Sequence, residues 1–173
     1  MSDQSFLERI ADRSVGRYDT SALATDGETL EAVTQALAAP HEASDEHCDL
    51  VAGIDALGFV YGAALARHIE TGFVPIRKGG KLPLADGELC TGVATDYTGT
   101  EKALALDCHA IDDGQRVLLV DDWIETAAQM GLAVDLVERA GGVVLGISVL
   151  GADVTDASGR LDERYGLHTL ELE

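Results

Sequence analysis

The sequence predicts an α/β fold with a mostly parallel central sheet flanked by helices. Two apolar segments, residues 50–54 and 116–120, have the length of buried strands, and each leads directly into an Asp. Residues 56–72 form a segment of helical length, rich in small residues, that leads into another apolar run. A strand that leads through a helix into a second strand is a βαβ unit, whose strands pair in parallel. The length of 173 residues fits one domain.

The N-terminal half contains the first of these units. Apolar residues at helical spacing predict helices at residues 5–14 and 28–38. Residues 50–54 are the first strand and residues 73–77 the second. The helix between them, residues 56–72, is rich in Gly and Ala, which would allow it to lie close on the sheet.

The C-terminal half continues the alternation. Residues 79–100 are rich in Gly, Thr and Asp and predict either a long loop or a hairpin. Residues 116–122 are a buried strand, residues 126–139 a helix and residues 142–151 another strand. Residues 167–173 alternate between apolar and polar side chains, which is typical of an edge strand.

The chain is strongly acidic, with 31 Asp and Glu against 12 Lys and Arg and a formal net charge of -19. Such a protein repels nucleic acids and anionic membranes, so we predict neither as a partner. The acids are spread along a chain apolar enough to fold, and at 1 M salt the Debye length is only about 3 Å. We interpret the composition as halophilic, and an acidic protein from a low-salt organism is the alternative.

Compartment and metal content are predicted from what the sequence lacks. No apolar run approaches the ~20 residues that cross a bilayer, and the acidic N-terminus is unlike a signal peptide, which predicts a cytoplasmic protein. Cys48, Cys90 and Cys108 have no CxxC spacing, which predicts free thiols. Residues 41–49 contain His, Cys and acids without a regular ligand spacing, which predicts a solvated loop rather than a metal site.

The ends of the predicted strands indicate where a ligand binds. Because ligands gather at the carboxyl ends of parallel strands, Asp55, residues 77–81 and residues 121–129 should lie together. Asp121 and Asp122 can accept hydrogen bonds from vicinal sugar hydroxyls, or hold Mg²⁺ through water. The pair alone is a weak indication, since strand ends often carry an Asp.

Cations and a helix N-terminus make the prediction more specific. Lysine occurs only at positions 78, 81 and 102, and Lys78 and Lys81 lie beside Arg77 in the segment RKGGK. We interpret Arg77, Lys78 and Lys81 as an anion site, with a chance basic turn as the alternative. The helix predicted from Thr126 has unpartnered N–H groups at its start, which favour a phosphate. Together these elements predict a site for a phosphoribosyl compound.

The same segments resemble a known family. VLLVDDWIETAAQ resembles the phosphoribosyl pyrophosphate loop of the type I phosphoribosyltransferases, and GIDALGFVYGAALA and GFVPIRKGGKLP are similar to stretches of its adenine branch. RYDTSALATDGETLEAVTQAL is similar to the base-binding hood of that branch. The resemblance spans residues 17–172. It implies a type I phosphoribosyltransferase-like fold in one domain over residues 1–173, with N-terminal helices and a small hood in residues 1–40 and a core in residues 48–173.

The resemblance also implies roles for individual residues. Asp121 and Asp122 would hold the ribose hydroxyls, and Lys78 and Lys81 would lie near the pyrophosphate. Residues 90–105 would form a flexible loop that closes over the reaction. The 5′-phosphate loop would consist of Thr126, Ala127, Ala128 and Gln129. The family uses Mg²⁺ complexed with the pyrophosphate, and we predict no residues of this protein as dedicated metal ligands. Members of the family are usually homodimers.

Three positions depart from the family. The loop Thr-Gly-Gly-Thr is replaced by residues 126–129, Thr-Ala-Ala-Gln, and alanine is costly where the backbone needs a positive φ. Leu57 replaces an arginine, which removes a pyrophosphate contact. Glu125 replaces a small residue where the hypoxanthine-guanine branch has an Asp near purine N7. Glu125 is therefore either a general acid/base, predicted as catalytic together with Asp122, or a solvent-facing acid.

Two functions are consistent with these residues. The first is an enzyme that converts a purine base and phosphoribosyl pyrophosphate into a nucleoside 5′-monophosphate and pyrophosphate, as in purine salvage. Its base is adenine from the overall resemblance, or a 6-oxopurine if Glu125 has the acidic role. The second is a nucleotide-sensing protein on the same fold, which Leu57 and the lost glycines favour.

Overall fold

The computed structural model describes residues 11–13, 17–79, 89–95 and 101–172. The strands are β1 (Ala11–Arg13), β2 (Arg17–Asp19), β3 (Leu50–Ile54), β4 (Gly72–Lys78), β5 (Leu89–Thr95), β6 (Glu101–Asp107), β7 (Arg116–Ile124), β8 (Val143–Ala152) and β9 (Leu167–Leu172). The helices are α1 (Gly27–Glu42), α2 (Leu57–His68), α3 (Ala128–Arg139) and α4 (Asp156–Tyr165), and Ser21–Ala24 is a 3-10 turn. No helix in these ranges is long and apolar enough to cross a membrane.

Seven strands form one sheet in the order β5-β6-β4-β3-β7-β8-β9. The five strands from β4 to β9 in this order pair in parallel. The hairpin of β5 and β6 is added antiparallel at the β4 edge. The predicted fold, a mostly parallel sheet flanked by helices, is therefore confirmed, and β9 is the edge strand expected from its alternating pattern.

The sheet carries helices on both faces. On one face α1 and α2 cover a core that includes Val51, Leu118 and Val120. On the other face α3 and α4 cover a core that includes Leu119 and Ile147. Successive residues of β7 thus enter opposite cores, which explains why its sequence is continuously apolar rather than alternating.

The close packing expected for α2 comes from two glycines. A Cβ built at Gly62 would stand 2.8 Å from the ring of Phe73, and one at Gly58 would stand 2.9 Å from the carbonyl oxygen of Val120. A side chain at either position would push the helix off the sheet. Gly58 therefore determines how near the start of α2 approaches the end of β7.

Several sequence-based boundaries need correction. The predicted helix at residues 5–14 is wrong where the structure describes it, because residues 11–13 form β1 and pair with β2. Within residues 79–100, the described residues 89–95 form β5 of the hairpin, which is the second of the two alternatives. Helix α3 begins at Ala128 rather than at residue 126. Helix α4 was not predicted, although Thr155 and Ser158 form a capping box at its start.

The prediction of three free thiols is wrong for two of them. Cys90 and Cys108 form a disulfide, with their Cα atoms 5.3 Å apart, and Cys48 is a buried free thiol. The cross-link is possible because the antiparallel pairing of β5 with β6 brings the end of β6 beside the start of β5. The spacing of the cysteines alone does not reveal this proximity. In residues 41–49, His41 ends up in α1, while residues 42–47 are exposed, as expected for a solvated segment.

Candidate active site

A cavity of about 280 Å³ lies at the carboxyl ends of β3, β4 and β7. It is the position that the strand-end rule predicts for a ligand. The residues that line it are Asp55, Ala56, Leu57, Lys78, Ala94, Lys102, Asp121, Asp122, Trp123, Ile124, Glu125, Thr126, Ala127, Ala128, Gln129 and Met130. The cavity therefore brings together the acidic pair, the loop that precedes α3 and two of the chain's lysines.

Asp121 is the deeper of the two paired acids, with only 6% of its surface exposed. Its Oδ1 accepts the backbone N–H of Asp122 over 2.9 Å, and its Oδ2 accepts Nε2 of Gln129 over 3.3 Å. The start of α2 covers it, since a Cβ at Gly58 would stand 3.0 Å from Oδ1. Burial raises the pKa of Asp121 well above its ordinary value, and the charge of Asp122 adds to the rise.

Asp122 is half-buried and is connected to the N-terminal segment. The hydroxyl of Thr20 donates to its Oδ2 over 3.3 Å, across 102 positions of sequence. The carbonyl oxygen of Thr20 in turn accepts the phenol of Tyr61 over 2.7 Å. Burial raises the pKa of Tyr61 to about 12, so this phenol stays a donor at neutral pH. Two successive hydrogen bonds thus connect α2, the N-terminal segment and β7.

The loop after β7 has an unusual backbone at the position where the family has glycine. Ala127 has φ 59°, in the left-handed region, and is the N-cap of α3. Its carbonyl oxygen accepts the N–H of Gly131 over 2.8 Å and so begins the helix. The N–H groups of the first turn of α3, including those of Ala128 and Gln129, therefore remain available for an anion in the cavity. The cost of alanine at a positive φ, anticipated from the sequence, applies to Ala127.

The predicted cations separate in space. Lys78 lines the cavity, whereas Arg77, its neighbour on β4, is not among the described lining residues. The Nε of Arg77 lies 4.0 Å from Oδ2 of Asp55, and its guanidinium lies 5.9 Å from the ring centre of Phe59. Lys81 lies outside the described residues. Lys102, which was not predicted as a site residue, lines the cavity from β6.

Trp123 is the aromatic residue of the cavity wall. Its Nε1 donates to Oδ1 of Asp153 over 2.8 Å. Its ring occupies the space above Gly151, where a Cβ would stand 2.7 Å from Cε3 of the indole. The hydrogen bond to Asp153 and the space left at Gly151 therefore fix the position of the indole at the cavity.

Thr20, Lys102 and Trp123 were not predicted individually as site residues, although Trp123 lies within the predicted segment 121–129. The rarity of lysine was a usable signal for Lys102, because it is one of only three in the chain. Thr20 lies in the segment that resembles the base-binding hood, but no sequence signal links it to Asp122, which it reaches only through the tertiary fold. For metals, no group of three or more His, Cys, Asp or Glu side chains that could hold an ion exists among the residues that the structure describes.

Comparison with known proteins shows the family to which this chain belongs. Residues 19–167 match the model of the phosphoribosyl transferase domain. The adenine phosphoribosyltransferase of Leuconostoc citreum is 36% identical over 154 residues, which cover 89% of this chain and 84% of that protein. The adenine phosphoribosyltransferase of Thermobifida fusca is 41% identical over 136 residues, which cover 76% and 72% of the two proteins.

Solved structures agree in fold. The crystal structure of adenine phosphoribosyltransferase from Rhodothermus marinus superposes with a TM-score of 0.86 at 29% identity, covering 98% of this chain and 97% of that one. The enzyme from Thermoanaerobacter pseudethanolicus gives a TM-score of 0.86 at 28% identity. The type I phosphoribosyltransferase fold predicted from the sequence is confirmed. The chain belongs to the phosphoribosyltransferase family and is an enzyme that transfers a phosphoribosyl group.

Proposed function

We propose that this enzyme transfers the 5-phosphoribosyl group of phosphoribosyl pyrophosphate to adenine, releasing adenosine monophosphate and pyrophosphate. The observation that carries the proposal is that one cavity is lined by the acidic pair, the loop before α3 and Lys78. Such a set matches the hydroxyls, the 5′-phosphate and the pyrophosphate of one substrate. Adenine is favoured over a 6-oxopurine because the relatives quoted above are named adenine phosphoribosyltransferases.

Each residue then has a defined task. Asp121 and Asp122 accept hydrogen bonds from the two ribose hydroxyls. The N–H groups at the start of α3 bind the 5′-phosphate together with the hydroxyl of Thr126, with residues 126–129 as the loop. Lys78, Lys102 and, from outside the described residues, Lys81 balance the charge of the pyrophosphate. We assign Arg77 an indirect role, because it lies against Asp55 beside the cavity.

We propose Glu125 as the general acid/base of the reaction with adenine, since adenine, like a 6-oxopurine, must lose a ring proton when the glycosidic bond forms. It lines the cavity between the acidic pair and the phosphate loop, and its side chain is half-buried. When the glycosidic bond forms, positive charge develops on the sugar and the base must lose a proton. A carboxylate on the base side accepts that proton, which typically accelerates a reaction by about 10²–10⁴-fold.

We propose that Mg²⁺ enters the site bound to phosphoribosyl pyrophosphate. The acids that line the cavity, such as Asp55 and Asp122, are hard oxygen donors that suit this ion in company with phosphate oxygens. When bound, the ion would neutralise charge on the leaving pyrophosphate. The chain's own contribution is to orient the ribose and the 5′-phosphate and to supply cations from β4 and β6.

The broader properties remain proposals of the same kind. We propose one domain, with residues 1–40 as the hood side and residues 48–173 as the core, acting as a cytoplasmic homodimer.

We also propose that the net charge of -19 is a halophilic adaptation. Unfolding should then occur at a higher temperature in molar KCl than in dilute buffer, because salt screens the repulsion. A midpoint that does not rise with salt would contradict this.

The decisive experiment is a product assay in high salt. Purified protein is mixed with Mg²⁺, phosphoribosyl pyrophosphate and, separately, adenine, hypoxanthine or guanine, and pyrophosphate release is followed. We expect release with adenine and little with the 6-oxopurines. Faster release with hypoxanthine or guanine would change the base, and release with none of the three would leave purine transfer without support.

A further inference from the structure

We propose that Thr20 is a positioning residue, which holds the Asp122 carboxylate in the orientation that the ribose needs before the ligand binds. The inference rests on the proposed function, because that function assigns Asp122 to the ribose. It adds to that function a residue that lies 102 positions from Asp122 in the sequence.

Thr20 is held from two sides. Its side chain is fully buried, although it lies between a short strand and a 3-10 turn near the N-terminus. Its carbonyl oxygen accepts both the N–H of Leu23 over 3.0 Å and the phenol of Tyr61 over 2.7 Å. The backbone of Thr20 is therefore fixed by its own turn and by α2, which leaves its hydroxyl in a defined position.

That hydroxyl acts on a cavity residue. Oγ1 donates to Oδ2 of Asp122 over 3.3 Å, and Asp122 lines the cavity. A carboxylate has two oxygens and about four lone-pair positions, so one donated bond sets the plane of the group and leaves acceptors for a sugar hydroxyl. A carboxylate oriented before binding loses less rotational freedom when the ligand arrives. Thr20 therefore lowers the cost of binding ribose without touching it.

The test compares Thr20→Val, which keeps the shape and removes the hydroxyl, with Thr20→Ser, which keeps the hydroxyl. Thr34→Val is the matched control: Thr34 is 2% exposed, its hydroxyl donates to the carbonyl oxygen of Leu30 over 2.7 Å in α1, and it does not line the cavity. For each variant we measure kcat, KM for both substrates and the Kd of adenosine monophosphate by calorimetry. Thermal midpoints report on any purely structural loss.

We expect Thr20→Val to raise KM for phosphoribosyl pyrophosphate and Kd for adenosine monophosphate about tenfold, the scale of a hydrogen bond to a charged group. Thr20→Ser should restore both, and Thr34→Val should lower the thermal midpoint without changing either.

Three results overturn the proposal: unchanged ribose-ligand affinity in Thr20→Val, failure of Thr20→Ser to restore it, or an equal loss in Thr34→Val. Failure of the proposed function is distinguishable from these. If wild-type protein forms no product but binds adenosine monophosphate, calorimetry alone decides the role of Thr20. If wild-type protein binds no ribose 5-phosphate compound, both proposals fall.

Discussion

The backbone N–H of Asp122 donates a hydrogen bond to Oδ1 of Asp121 over 2.9 Å, so the two neighbouring acids do not share the same environment. Asp121 is turned inward under α2, while Asp122 is half-buried and faces Thr20. Since burial is the main cause of the raised pKa of Asp121, its carboxylate reduces the stability of the free protein. The buried charge of Asp121 therefore destabilises the folded protein, although the proposed ribose site requires this carboxylate.

The first prediction is that Asp121→Asn stabilises the ligand-free protein at neutral pH and weakens binding of adenosine monophosphate. The folded pKa is raised, so the protonated carboxyl contributes stability below the unfolded pKa, and this is lost as pH rises through the folded pKa. The amide has no charge to desolvate, and we expect a gain of about 1–3 kcal/mol, the scale of an imperfectly satisfied buried polar group. Urea unfolding between pH 4 and 8 measures it.

The control for Asp121→Asn is Asp45→Asn, which removes one charge from an exposed loop. This variant should change unfolding little and in the same way at every pH tested. A stability difference between Asp121→Asn and wild type that does not grow with pH would contradict the assignment of a raised folded pKa.

The second prediction concerns the left-handed Ala127. Replacement by glycine relieves about 1–2 kcal/mol of backbone strain, but it removes a buried methyl worth about 0.8 kcal/mol and adds about 0.4–1 kcal/mol of unfolded-state entropy. These terms nearly cancel, so Ala127→Gly should leave the unfolding free energy almost unchanged. Affinity for the 5′-phosphate should also be kept, because the N–H donors remain.

Ala133→Gly is the matched control for this variant. Ala133 is fully buried in the middle of α3, where the backbone is helical and there is no strain to relieve. Glycine there loses the methyl and about 1 kcal/mol of helix propensity, so the control should be destabilised by about 2 kcal/mol. Equal destabilisation in the two variants, measured in urea, would mean that Ala127 is not strained.

Position along the chain explains which parts of the site were predictable. Strand ends and local motifs are sequence-local, so Asp121, Lys78 and residues 126–129 were identified correctly as neighbours in the cavity. The partnership of Thr20 with Asp122 depends on where a segment 102 residues away lies in the fold. No periodicity or spacing encodes that contact, which is visible only in the assembled structure.

The same reasoning explains the errors in the fold prediction. The parallel core was predicted because βαβ units follow from consecutive segments. The hairpin of β5 and β6 pairs antiparallel, and only that pairing brings Cys90 and Cys108 within bonding distance. Helix α4 is short and very polar, so it lacks the apolar spacing that predicts a helix. Its sequence signal lies instead in the capping residues Thr155 and Ser158.

The third prediction is that protein unfolded in the absence of reductant contains one reactive thiol, from Cys48, and that reduction exposes three. The disulfide closes a loop with a sequence separation of 18, and such a cross-link stabilises by about 3 kcal/mol in the loop-entropy model. Reductant should therefore lower the unfolding midpoint of wild type. It should leave a Cys90→Ser, Cys108→Ser double variant unaffected, and three reactive thiols without reductant would contradict the disulfide.

The fourth prediction is that Lys78→Ala weakens phosphoribosyl pyrophosphate more than adenosine monophosphate. Lys78 is assigned to the pyrophosphate, which the monophosphate lacks, and a charge-assisted bond in a cavity is worth about 1.5–3 kcal/mol. Arg67→Ala removes the same charge from an exposed position on α2 and should change neither affinity. Calorimetry with both ligands checks this. If Lys78→Ala weakens binding of both ligands equally, the assignment of Lys78 to the pyrophosphate is wrong.

The last prediction asks whether Glu125 reacts with the base or merely stands beside the phosphate. Glu125 lines the cavity directly before the loop that begins α3, where a carboxylate that pointed at the 5′-phosphate would repel it. We therefore propose that the carboxylate points toward the base when a nucleotide is bound. We expect Glu125→Gln to keep the affinity for adenosine monophosphate and to lower kcat by about 10²–10⁴-fold, the usual contribution of a general acid/base. Glu163→Gln, an exposed acid on α4, should change neither quantity. The acidic limb of the pH profile of kcat should disappear in Glu125→Gln, because the group that must lose its proton is gone. Tighter monophosphate binding with unchanged kcat would instead make Glu125 a repulsive neighbour of the phosphate, and another group would then have to take the proton of the base.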